Sequence, residues 1–310
     1  MKPDIIVITG PTASGKTALG VEMALRHNGE IISADSMQIY KGMDIATAKP
    51  SVSEMKGIPH HLIGFLDNDA EFSVADYVEL ANEKIRDILS KGKLPVIVGG
   101  TGLYISSLTS NIRFADVRSD PRLREELAAQ ARSEGNEVLL ERLAAVDPAT
   151  ASQLHANNLT RVIRALEVYE LTGRTLSELN EESRKYESPY NFIKAGINYT
   201  DRQFLYDRIN SRVDAMIEAG LIEEARHMYQ TSQSMKTARQ AIGFKELIPY
   251  FKDEQTLESC IDKIKQETRR YAKRQLTWFR RDGEIQWIMA DNTSDINFFI
   301  KKCENIIAKQ

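Results

Sequence analysis

Residues 10–17, Gly-Pro-Thr-Ala-Ser-Gly-Lys-Thr, have the residue types and the spacing of a phosphate-binding loop. They follow an apolar, β-branched run at residues 5–9 and precede a helical pattern at residues 18–24. This strand–loop–helix setting distinguishes a P-loop from a chance glycine-rich turn. Glycines let the backbone amides converge on phosphate oxygens, and the helix N-terminus below them adds partial positive charge. The sequence therefore predicts a site for a di- or triphosphate group.

Each residue of this loop is a candidate phosphate ligand. The predicted set is Gly10, Pro11, Thr12, Ala13, Ser14, Gly15, Lys16 and Thr17. Lys16 brings a full positive charge to the terminal phosphate, and the Thr17 hydroxyl is predicted to ligate Mg²⁺. The loop predicts phosphate binding but does not identify the reaction.

Asp35 stands at the end of a second apolar strand pattern, residues 30–34. Ligands of open α/β sheets bind at the carboxyl ends of the strands. We therefore expect Asp35 near the phosphate loop if the two strands are neighbours. An Asx turn or a helix cap is the alternative explanation for an aspartate in this position.

A third apolar strand pattern, residues 94–98, ends in Gly99-Gly100-Thr101-Gly102. P-loop ATPases usually carry an aspartate at this position, which helps to hold Mg²⁺. The Thr101 hydroxyl can instead donate to phosphate or metal. The glycines are predicted to let a bulky ligand approach the backbone.

The distribution of strand and helix patterns predicts the fold class. We expect an α/β, P-loop NTPase-like core with a parallel sheet flanked by helices, formed by residues 1–111 and 190–310. Between them, residues 112–189 lack β-branched runs and carry four successive helical patterns, at residues 121–133, 137–145, 148–154 and 159–171. This block is predicted to be an all-helical insertion domain.

Basic residues are concentrated in one stretch, although the net charge of the chain is −3. Between Asp262 and Arg281, only Asp262 and Glu267 are acidic, and aromatic residues are interleaved. The basic residues are Lys263, Lys265, Arg269, Arg270, Lys273, Arg274, Arg280 and Arg281. This basic strip is typical of a surface that follows a phosphate backbone. The alternative is a surface helix whose aromatic residues belong to the core.

Two further pairs of arginines have helical spacing. Arg161 and Arg164 are one turn apart on one helix face, as are Arg208 and Arg212. The first pair is equally compatible with an ordinary solvated face. His60 and His61 point in opposite directions on a short strand and lack partners at metal-ligand spacing, so we interpret them as structural.

Bulk properties narrow the class of protein. The 310 residues are 42% hydrophobic and 27% charged, and the two cysteines, Cys260 and Cys303, fit neither a disulfide framework nor a metal cluster. No apolar stretch approaches transmembrane length, and the first strand pattern begins too early to leave room for a signal peptide. We expect a cytoplasmic enzyme that acts as a monomer without a membrane partner.

Six motifs in order resemble the tRNA dimethylallyltransferase family, also called isopentenyltransferases, over nearly the whole chain. They are residues 10–17, 35–50, 99–104, 161–168, 240–246 and 268–279. The resemblance implies transfer of a dimethylallyl group from dimethylallyl diphosphate to the exocyclic amine of the adenine beside the tRNA anticodon. The P-loop would then hold a diphosphate leaving group, with Mg²⁺.

The resemblance also implies roles for individual residues. Asp35 would be the general base, and Lys16, Thr101 and Arg212 would bind or stabilise the leaving diphosphate, with Arg212 favoured over Arg208. The tRNA contacts implied are Asp35, Ser36, Met37, Gln38, Thr101, Arg124, Thr160, Arg161, Val162, Ile163, Arg164, Gln240 and Arg274. The chain lacks the C-terminal Cys/His cluster that nuclear and organellar relatives often carry, which argues against structural zinc.

Three other functions remain open from the sequence. A P-loop small-molecule kinase would use the helical insertion as a lid and would have little use for the basic strip. Prenyl transfer to free AMP or ADP is a second alternative, although a mononucleotide offers few phosphates to so many cations. A non-catalytic RNA-binding protein with a vestigial P-loop is the third, and the intact Lys16, Thr17 and Asp35 argue against it.

Overall fold

The structure of the protein is a computed structural model that describes residues 2–112, 119–183, 186–231, 237–290 and 293–309. Backbone contacts divide the chain into two compact units. The first comprises Met1–Leu108 and Pro189–Gln310, and the second comprises Thr109–Ser188. The two breaks fall within a few residues of those predicted from the sequence. We describe each unit by itself.

The first unit is built on a parallel sheet of six strands in the described residues. In chain order the strands are β1 (Asp4–Thr9), β2 (Gly29–Ala34), β3 (His60–His61), β4 (Leu94–Gly99), β5 (Asn191–Tyr199) and β6 (Gln286–Ala290). Their order across the sheet is β3-β2-β4-β1-β5-β6. All neighbouring pairs are parallel, so the carboxyl ends of the strands lie along one edge.

Helices make up most of the remaining ordered structure in both units. In chain order they are α1 (Lys16–Arg26), α2 (Val52–Met55), α3 (Val74–Ser90), α4 (Gly102–Thr109), α5 (Pro121–Glu134), α6 (Asn136–Val146), α7 (Pro148–Ala151), α8 (Leu159–Thr172), α9 (Leu176–Ser183), α10 (Arg202–Glu218), α11 (Leu221–Thr231), α12 (Ile248–Phe251), α13 (Leu257–Phe279) and α14 (Ile296–Ile307). No helix in the described ranges is long and apolar enough to cross a membrane.

The central strand β1 shows why this sequence forms a parallel sheet. Its residues Ile5 to Ile8 are all at most 1% exposed, because helices cover both faces of the sheet. Ile6 and Ile8 pack in the cluster that contains residues of α1 and α14, whereas Ile5 and Val7 pack with residues of α3. Successive side chains of a strand point to opposite faces, so one apolar run serves both layers.

Local signals position α3 as the sequence predicts. The Ser73 side chain accepts a hydrogen bond from the Asp76 amide, and the Asp76 carboxylate accepts one from the Ser73 amide. This reciprocal capping box satisfies two amides that the first helical turn leaves without intrahelical partners. The buried face of the helix is formed by Tyr77, Val78, Ala81, Ile85 and Ile88.

The strand order and one short helix complete the description of the first unit. Strands β1 and β2 are not neighbours, because β4 pairs with both of them. The segment from Lys41 to Pro59 contains the short helix α2, which Ser51 caps through a capping box with Glu54. Residues 286–290 form the edge strand β6, which pairs with β5.

The second unit is helical throughout its ordered elements. Its core is formed by Leu127, Leu139, Leu143, Val162 and Leu166, all at most 2% exposed, from α5, α6 and α8. Gly173 adopts the left-handed conformation (φ 68°) and ends α8. The third helix ends at Ala151 and not at residue 154, and α9 was not predicted.

Candidate active site

The carboxyl ends of β1, β2 and β4 open into one cavity of about 250 Å³ within the first unit. Residues of the P-loop lie at one end of it, and residues of α10 and α13 form other parts of its wall. Polar and charged side chains in the wall include Lys16, Thr17, Ser33, Asp35, Gln38, Arg212, Gln240, Thr268, Tyr271, Arg274 and Gln275. Asp35 therefore reaches the same cavity as the P-loop, even though β4 separates their strands.

Three side chains outside the P-loop hold its backbone. The Arg208 Nε atom donates to the Ala13 carbonyl (2.9 Å), and the Tyr199 hydroxyl donates to the Ser14 carbonyl (3.0 Å). The Gln275 Oε1 atom accepts a hydrogen bond from the Thr12 amide (2.8 Å). These hydrogen bonds help to fix the conformation of the loop. Arg208 therefore hydrogen-bonds to the backbone of the loop, whereas the Arg212 side chain lines the cavity.

The backbone of the P-loop has the conformation that its glycines predict. Gly15 has φ 95° and Gly10 has φ 149°, and a Cβ atom on Gly10 would lie 2.8 Å from the Ile197 carbonyl oxygen. Both positions are strained for any residue with a side chain. The non-glycine Ala13 also has a positive φ of 61°.

Lys16 lies against the P-loop with its Nζ atom 3.2 Å from the Pro11 carbonyl oxygen. Burial and the nearby Arg212 guanidinium lower the pKa of Lys16 to about 8, while Asp35 acts in the opposite direction. Burial likewise lowers the pKa of Arg212, again opposed by Asp35. Two cations with so little compensating negative charge form a strong attraction for an anion.

Asp35 lines the cavity beside the P-loop and also forms an Asx turn, so both interpretations of its position hold. Its Oδ1 atom accepts hydrogen bonds from the amides of Met37 (2.9 Å) and Gln38 (3.3 Å), which is an Asx turn. Its Oδ2 atom receives no hydrogen bond from the described residues. The turn thus orients the carboxylate and leaves one oxygen available to a ligand in the cavity.

Thr101 joins the ends of β2 and β4. Its Oγ1 atom accepts a hydrogen bond from the Ser36 amide (2.9 Å), and its own amide donates to the Ala34 carbonyl (3.0 Å). The hydroxyl is thus engaged beside Asp35. Its predicted contact with a leaving group stays a prediction.

The glycines around Thr101 allow close packing within the protein. A Cβ atom on Gly99 would lie 2.1 Å from the Ala34 carbonyl oxygen, and one on Gly102 would lie 2.3 Å from Cδ1 of Trp278. These two glycines thus allow β2 and α13 to pack closely. Gly99 also lines the cavity, and the predicted approach of a bulky ligand to this backbone stays a prediction.

The side chain of Gln38, a predicted tRNA contact, is hydrogen-bonded within the wall of the cavity. Its Nε2 atom donates to the carbonyls of Thr47 and Ala48, both at 3.2 Å, and its Oε1 atom accepts from the Ser33 hydroxyl. Ser36 and Met37 precede it and are partly exposed. Gln38 thereby holds the segment that forms the neighbouring part of the wall.

Apolar side chains complete the cavity. They are contributed by β2, β4, α10 and the loops beside them, and they include Ile31, Val98, Ile63, Ile209, Val213, Met216 and Ile242. His60, interpreted from the sequence as structural, also lines this part, and its Nδ1 atom is 2.8 Å from the Ile58 carbonyl oxygen. The cavity thus offers a cationic phosphate site, a carboxylate and an apolar wall to one ligand or pair of ligands.

Two wall residues, Tyr271 and Gln275 on α13, were not singled out by the sequence analysis. Burial and the Asp35 charge raise the pKa of Tyr271, so the phenol keeps its proton. Gln275 is only 4% exposed although its neighbour Arg274 is exposed. The sequence offered one signal for both residues, which is that each is a polar residue on the inner face of an amphipathic helix.

The oxygen donors in this cavity suit a magnesium ion bound together with a phosphate ligand. Mg²⁺ prefers oxygen ligands and usually binds through one or two protein groups plus substrate phosphates. Thr17 and Asp35 both line the cavity with oxygen atoms. The described residues contain no group of three or more His, Cys, Asp or Glu side chains that could hold a metal ion alone.

The basic strip lies on α13 and the turn after it, and its two halves differ. In the first half, Lys263 and Arg270 both pair with Glu267 (3.2 and 2.7 Å), and Lys265 pairs with Asp214 (2.6 Å). In the second half, Lys273, Arg274, Arg280 and Arg281 are exposed and make no ion pair with any described residue. The Arg274 guanidinium lies 5.7 Å from the centroid of the Tyr271 ring.

In the second unit, two predicted tRNA-contacting arginines share one carboxylate. Arg124 donates two hydrogen bonds to Glu167 (2.8 and 2.9 Å), and Arg164 donates one (2.6 Å). The Glu167 side chain is fully buried, while the arginine side chains are 44% and 37% exposed. Although burial opposes it, these hydrogen bonds lower the pKa of Glu167.

The other predicted contacts on α8 divide by burial. Thr160 and Arg161 are exposed, as is Gln240 in the first unit. Val162 and Ile163 are 0% and 8% exposed and pack in the core of the second unit. Their side chains are therefore unavailable to a ligand on the surface, and the predicted contact of these two residues with tRNA stays a prediction.

Comparisons with known proteins agree on one family. Residues 38–282 match the family model described as IPP transferase. The chain is 49% identical to the tRNA dimethylallyltransferase of Acetivibrio thermocellus, covering 98% of this chain and 97% of that protein. It is 46% identical to the enzyme of the same name from Bacillus subtilis, covering 98% and 95%.

Solved structures give the same result. The tRNA isopentenylpyrophosphate transferase of Bacillus halodurans superposes with a TM-score of 0.74 at 45% identity, covering 99% of this chain and 96% of that one. A eukaryotic dimethylallyltransferase acting on tRNA gives a TM-score of 0.83 at 32% identity, covering 99% and 80%. The predicted fold class and the predicted family resemblance are both confirmed.

Proposed function

Because the chain belongs to the IPP transferase family, we propose that it transfers a dimethylallyl group from dimethylallyl diphosphate to tRNA. The acceptor is the exocyclic amine of the adenine adjacent to the anticodon. The observation that carries this proposal is the single cavity that combines a P-loop, two cations, an apolar wall and Asp35. An alkyl diphosphate donor needs the first three features, and a nucleobase amine needs the fourth.

The donor binds with its diphosphate in the P-loop. The backbone amides at the N-terminus of α1, Lys16 and Arg212 face the phosphate oxygens, and the dimethylallyl group lies against the apolar wall. As the bond between the allylic carbon and the diphosphate oxygen breaks, its electron pair moves to the leaving group. Lys16 and Arg212 stabilise this added negative charge, so their interactions are stronger in the transition state than with the bound donor.

Asp35 is the general base of the transfer. An adenine amine is too weak an acid to be deprotonated in advance, so the carboxylate takes the proton as the nitrogen–carbon bond forms. The Asx turn leaves Oδ2 open for that proton and fixes the direction of the carboxylate. Thr101 and Ser36, which hydrogen-bond each other beside Asp35, support the same region of the site.

Mg²⁺ is the proposed cofactor, held by Thr17 together with the diphosphate. When bound, it neutralises charge on the leaving group. The protein residues then keep the diphosphate oriented in the P-loop and keep water away from the allylic carbon.

On the first unit, the proposed nucleic-acid contacts are Ser36, Met37, Gln38 and Gln240 at the cavity and the second half of the basic strip. On the second unit, they are Thr160, Arg161, Arg124 and Arg164. The adenine must be unstacked from the anticodon loop before it can reach Asp35. Cations that have no acidic partner among the described residues are available for the phosphates around it. We further propose that the enzyme acts as a monomer in the cytoplasm.

The experiment that tests this function compares acceptors. Purified protein, Mg²⁺ and dimethylallyl diphosphate are incubated with unmodified tRNA or with AMP, and the nucleosides are analysed by mass spectrometry. We expect prenylated adenosine from tRNA only. Prenylation of AMP at an equal or greater rate would contradict the proposed acceptor and favour a cytokinin-forming activity.

A further inference from the structure

We propose that Gln275 is a positioning residue that fixes the spacing between the P-loop and the turn that carries Thr101. Its side chain lies between them, with Oε1 accepting from the Thr12 amide (2.8 Å) and Nε2 donating to the Gly100 carbonyl (2.9 Å). This inference rests on the proposed function, because it concerns how the two halves of that active site are held together.

The orientation of the amide is determined by its partners. The Thr12 amide can only donate and the Gly100 carbonyl can only accept, so just one of the two amide orientations satisfies both. Gln275 is 4% exposed and the Gly100 carbonyl is buried, whereas the Thr12 amide is partly buried. Loss of this side chain would therefore leave a buried acceptor and a partly buried donor without their partner.

Gly100 provides independent evidence that this contact is specified. A Cβ atom at this position would lie 2.2 Å from the Gln275 Nε2 atom, with the next contact from that side chain at 3.4 Å. Gly100 is not among the glycines with positive φ, so its backbone would accept an L-residue. The absence of a side chain at residue 100 is needed for the approach of Gln275 and not for an unusual backbone conformation.

The contact connects the two chemical parts of the cavity. Thr12 belongs to the loop that holds the leaving group. Gly100 precedes Thr101, which hydrogen-bonds to Ser36 next to Asp35. A shift of either part by about 1 Å would misalign the base with the allylic carbon, and such misplacement can cost about 100-fold in rate.

A double-mutant cycle tests the inference, using Gln275→Ala, Gly100→Ala and the double variant. Each single variant should lower kcat by about 10- to 100-fold and raise the KM for dimethylallyl diphosphate. The dissociation constant for tRNA should stay unchanged, because the exposed surface of α13 is unaltered. In the double variant, alanine at position 275 leaves room for the new Cβ atom, so its activity should equal that of Gln275→Ala alone.

Controls separate positioning from loss of folded protein. Gln266→Ala, on the same helix, removes a side chain that accepts a hydrogen bond from Lys263 (2.9 Å) and has no other hydrogen bond to a described residue. This variant should leave kcat and both affinities unchanged. Gln275→Met fills the volume of the glutamine without its hydrogen bonds. It should therefore show the loss of kcat expected for Gln275→Ala, and it replaces that variant if alanine unfolds the chain. Multiplicative losses in the double variant, or a fall in melting temperature with unchanged kcat and KM per folded molecule, would overturn the inference.

The same experiment distinguishes this inference from the proposed function. A wild-type protein that prenylates no tRNA at all contradicts the function. A wild-type protein that prenylates tRNA, with variants whose costs multiply, contradicts only the role of Gln275.

Discussion

The positively charged side chains of the cavity and those of the second unit differ in how much negative charge lies next to them. Lys16 and Arg212 line the cavity, where burial lowers the pKa of each and Asp35 opposes the shift from nearby. Arg124 and Arg164, in contrast, converge on the buried carboxylate of Glu167. The first set is poised for an external anion, whereas the second set already has an internal one. Residue type alone does not separate these two uses of positive charge.

The largest effect on activity should come from replacing Asp35, the carboxylate beside Lys16 and Arg212. Asp35→Asn keeps an oxygen that can accept from the Met37 amide, so the Asx turn persists, but it removes the proton acceptor. We expect kcat for tRNA prenylation to fall about 10²- to 10⁴-fold, with the tRNA dissociation constant and melting temperature nearly unchanged. Single-turnover kinetics with saturating donor measure this, and a rate within a factor of two of the wild type would remove Asp35 from the base role.

The buried carboxylate of Glu167 should stabilise the second unit. Glu167→Gln removes the charge on which Arg124 and Arg164 converge and should lower the free energy of unfolding of this unit by about 1–3 kcal/mol. Glu170→Gln is the matched control on the same helix, because Glu170 pairs with Arg142 at the surface and should cost less than about 0.5 kcal/mol. Hydrogen exchange at α5 and α8 reports both, and equal costs would contradict the distinction between buried and surface pairs.

The protonation of Lys16 should appear in the pH dependence of donor binding. Its pKa of about 8 means that the free enzyme loses this positive charge above pH 8, so kcat/KM for dimethylallyl diphosphate should fall there by up to about tenfold per pH unit. Lys16→Arg, which stays charged, should flatten this limb. A wild-type profile that is level from pH 7 to pH 10 would contradict the lowered pKa.

The same shift predicts the sign of a change in stability. Because the native lysine releases its proton at a lower pH than the unfolded one, the unfolded chain binds more protons between about pH 8 and the ordinary lysine pKa of 10.5. The contribution of Lys16 to the free energy of unfolding therefore increases with pH over that window. Lys16→Met should remove this contribution, which denaturant titrations at pH 8 and pH 10 can measure.

The smallest effects should come from the exposed basic strip. Arg274→Ala removes a cation without an acidic partner among the described residues, and we expect severalfold weaker tRNA binding with a salt slope lower by about 0.7–0.9. Arg270→Ala, whose cation is paired with Glu267 (2.7 Å), should change the affinity less. Filter binding over a range of salt concentrations compares the two, and a larger loss for Arg270→Ala would contradict the comparison between paired and unpaired cations.

Much of the framework follows from local sequence signals. The strand–loop–helix pattern of the P-loop depends on neighbours within a few residues, and the sequence predicted it. The order of strands is different, because it depends on which apolar faces pack together, and β4 lies between β1 and β2.

The parts of the site that the sequence did not predict involve residues far apart in the chain. Gln275 hydrogen-bonds to Thr12, 263 residues away, and Glu167 receives Arg124, 43 residues away. No local pattern identifies which distant residue Gln275 or Glu167 contacts. For the same reason, the sequence did not identify Ala34, Gln275 and Trp278 as the neighbours of the glycines near Thr101.

The central claim is that the P-loop holds an alkyl donor by its departing diphosphate. The most direct test is to incubate the protein, Mg²⁺ and unmodified tRNA with either dimethylallyl diphosphate or ATP, and to measure the intact mass of the tRNA and the phosphate products. We predict that only dimethylallyl diphosphate modifies the tRNA, adding one dimethylallyl group for each diphosphate released. Transfer of the terminal phosphate of ATP to an acceptor, with no alkylated tRNA from dimethylallyl diphosphate, would contradict it.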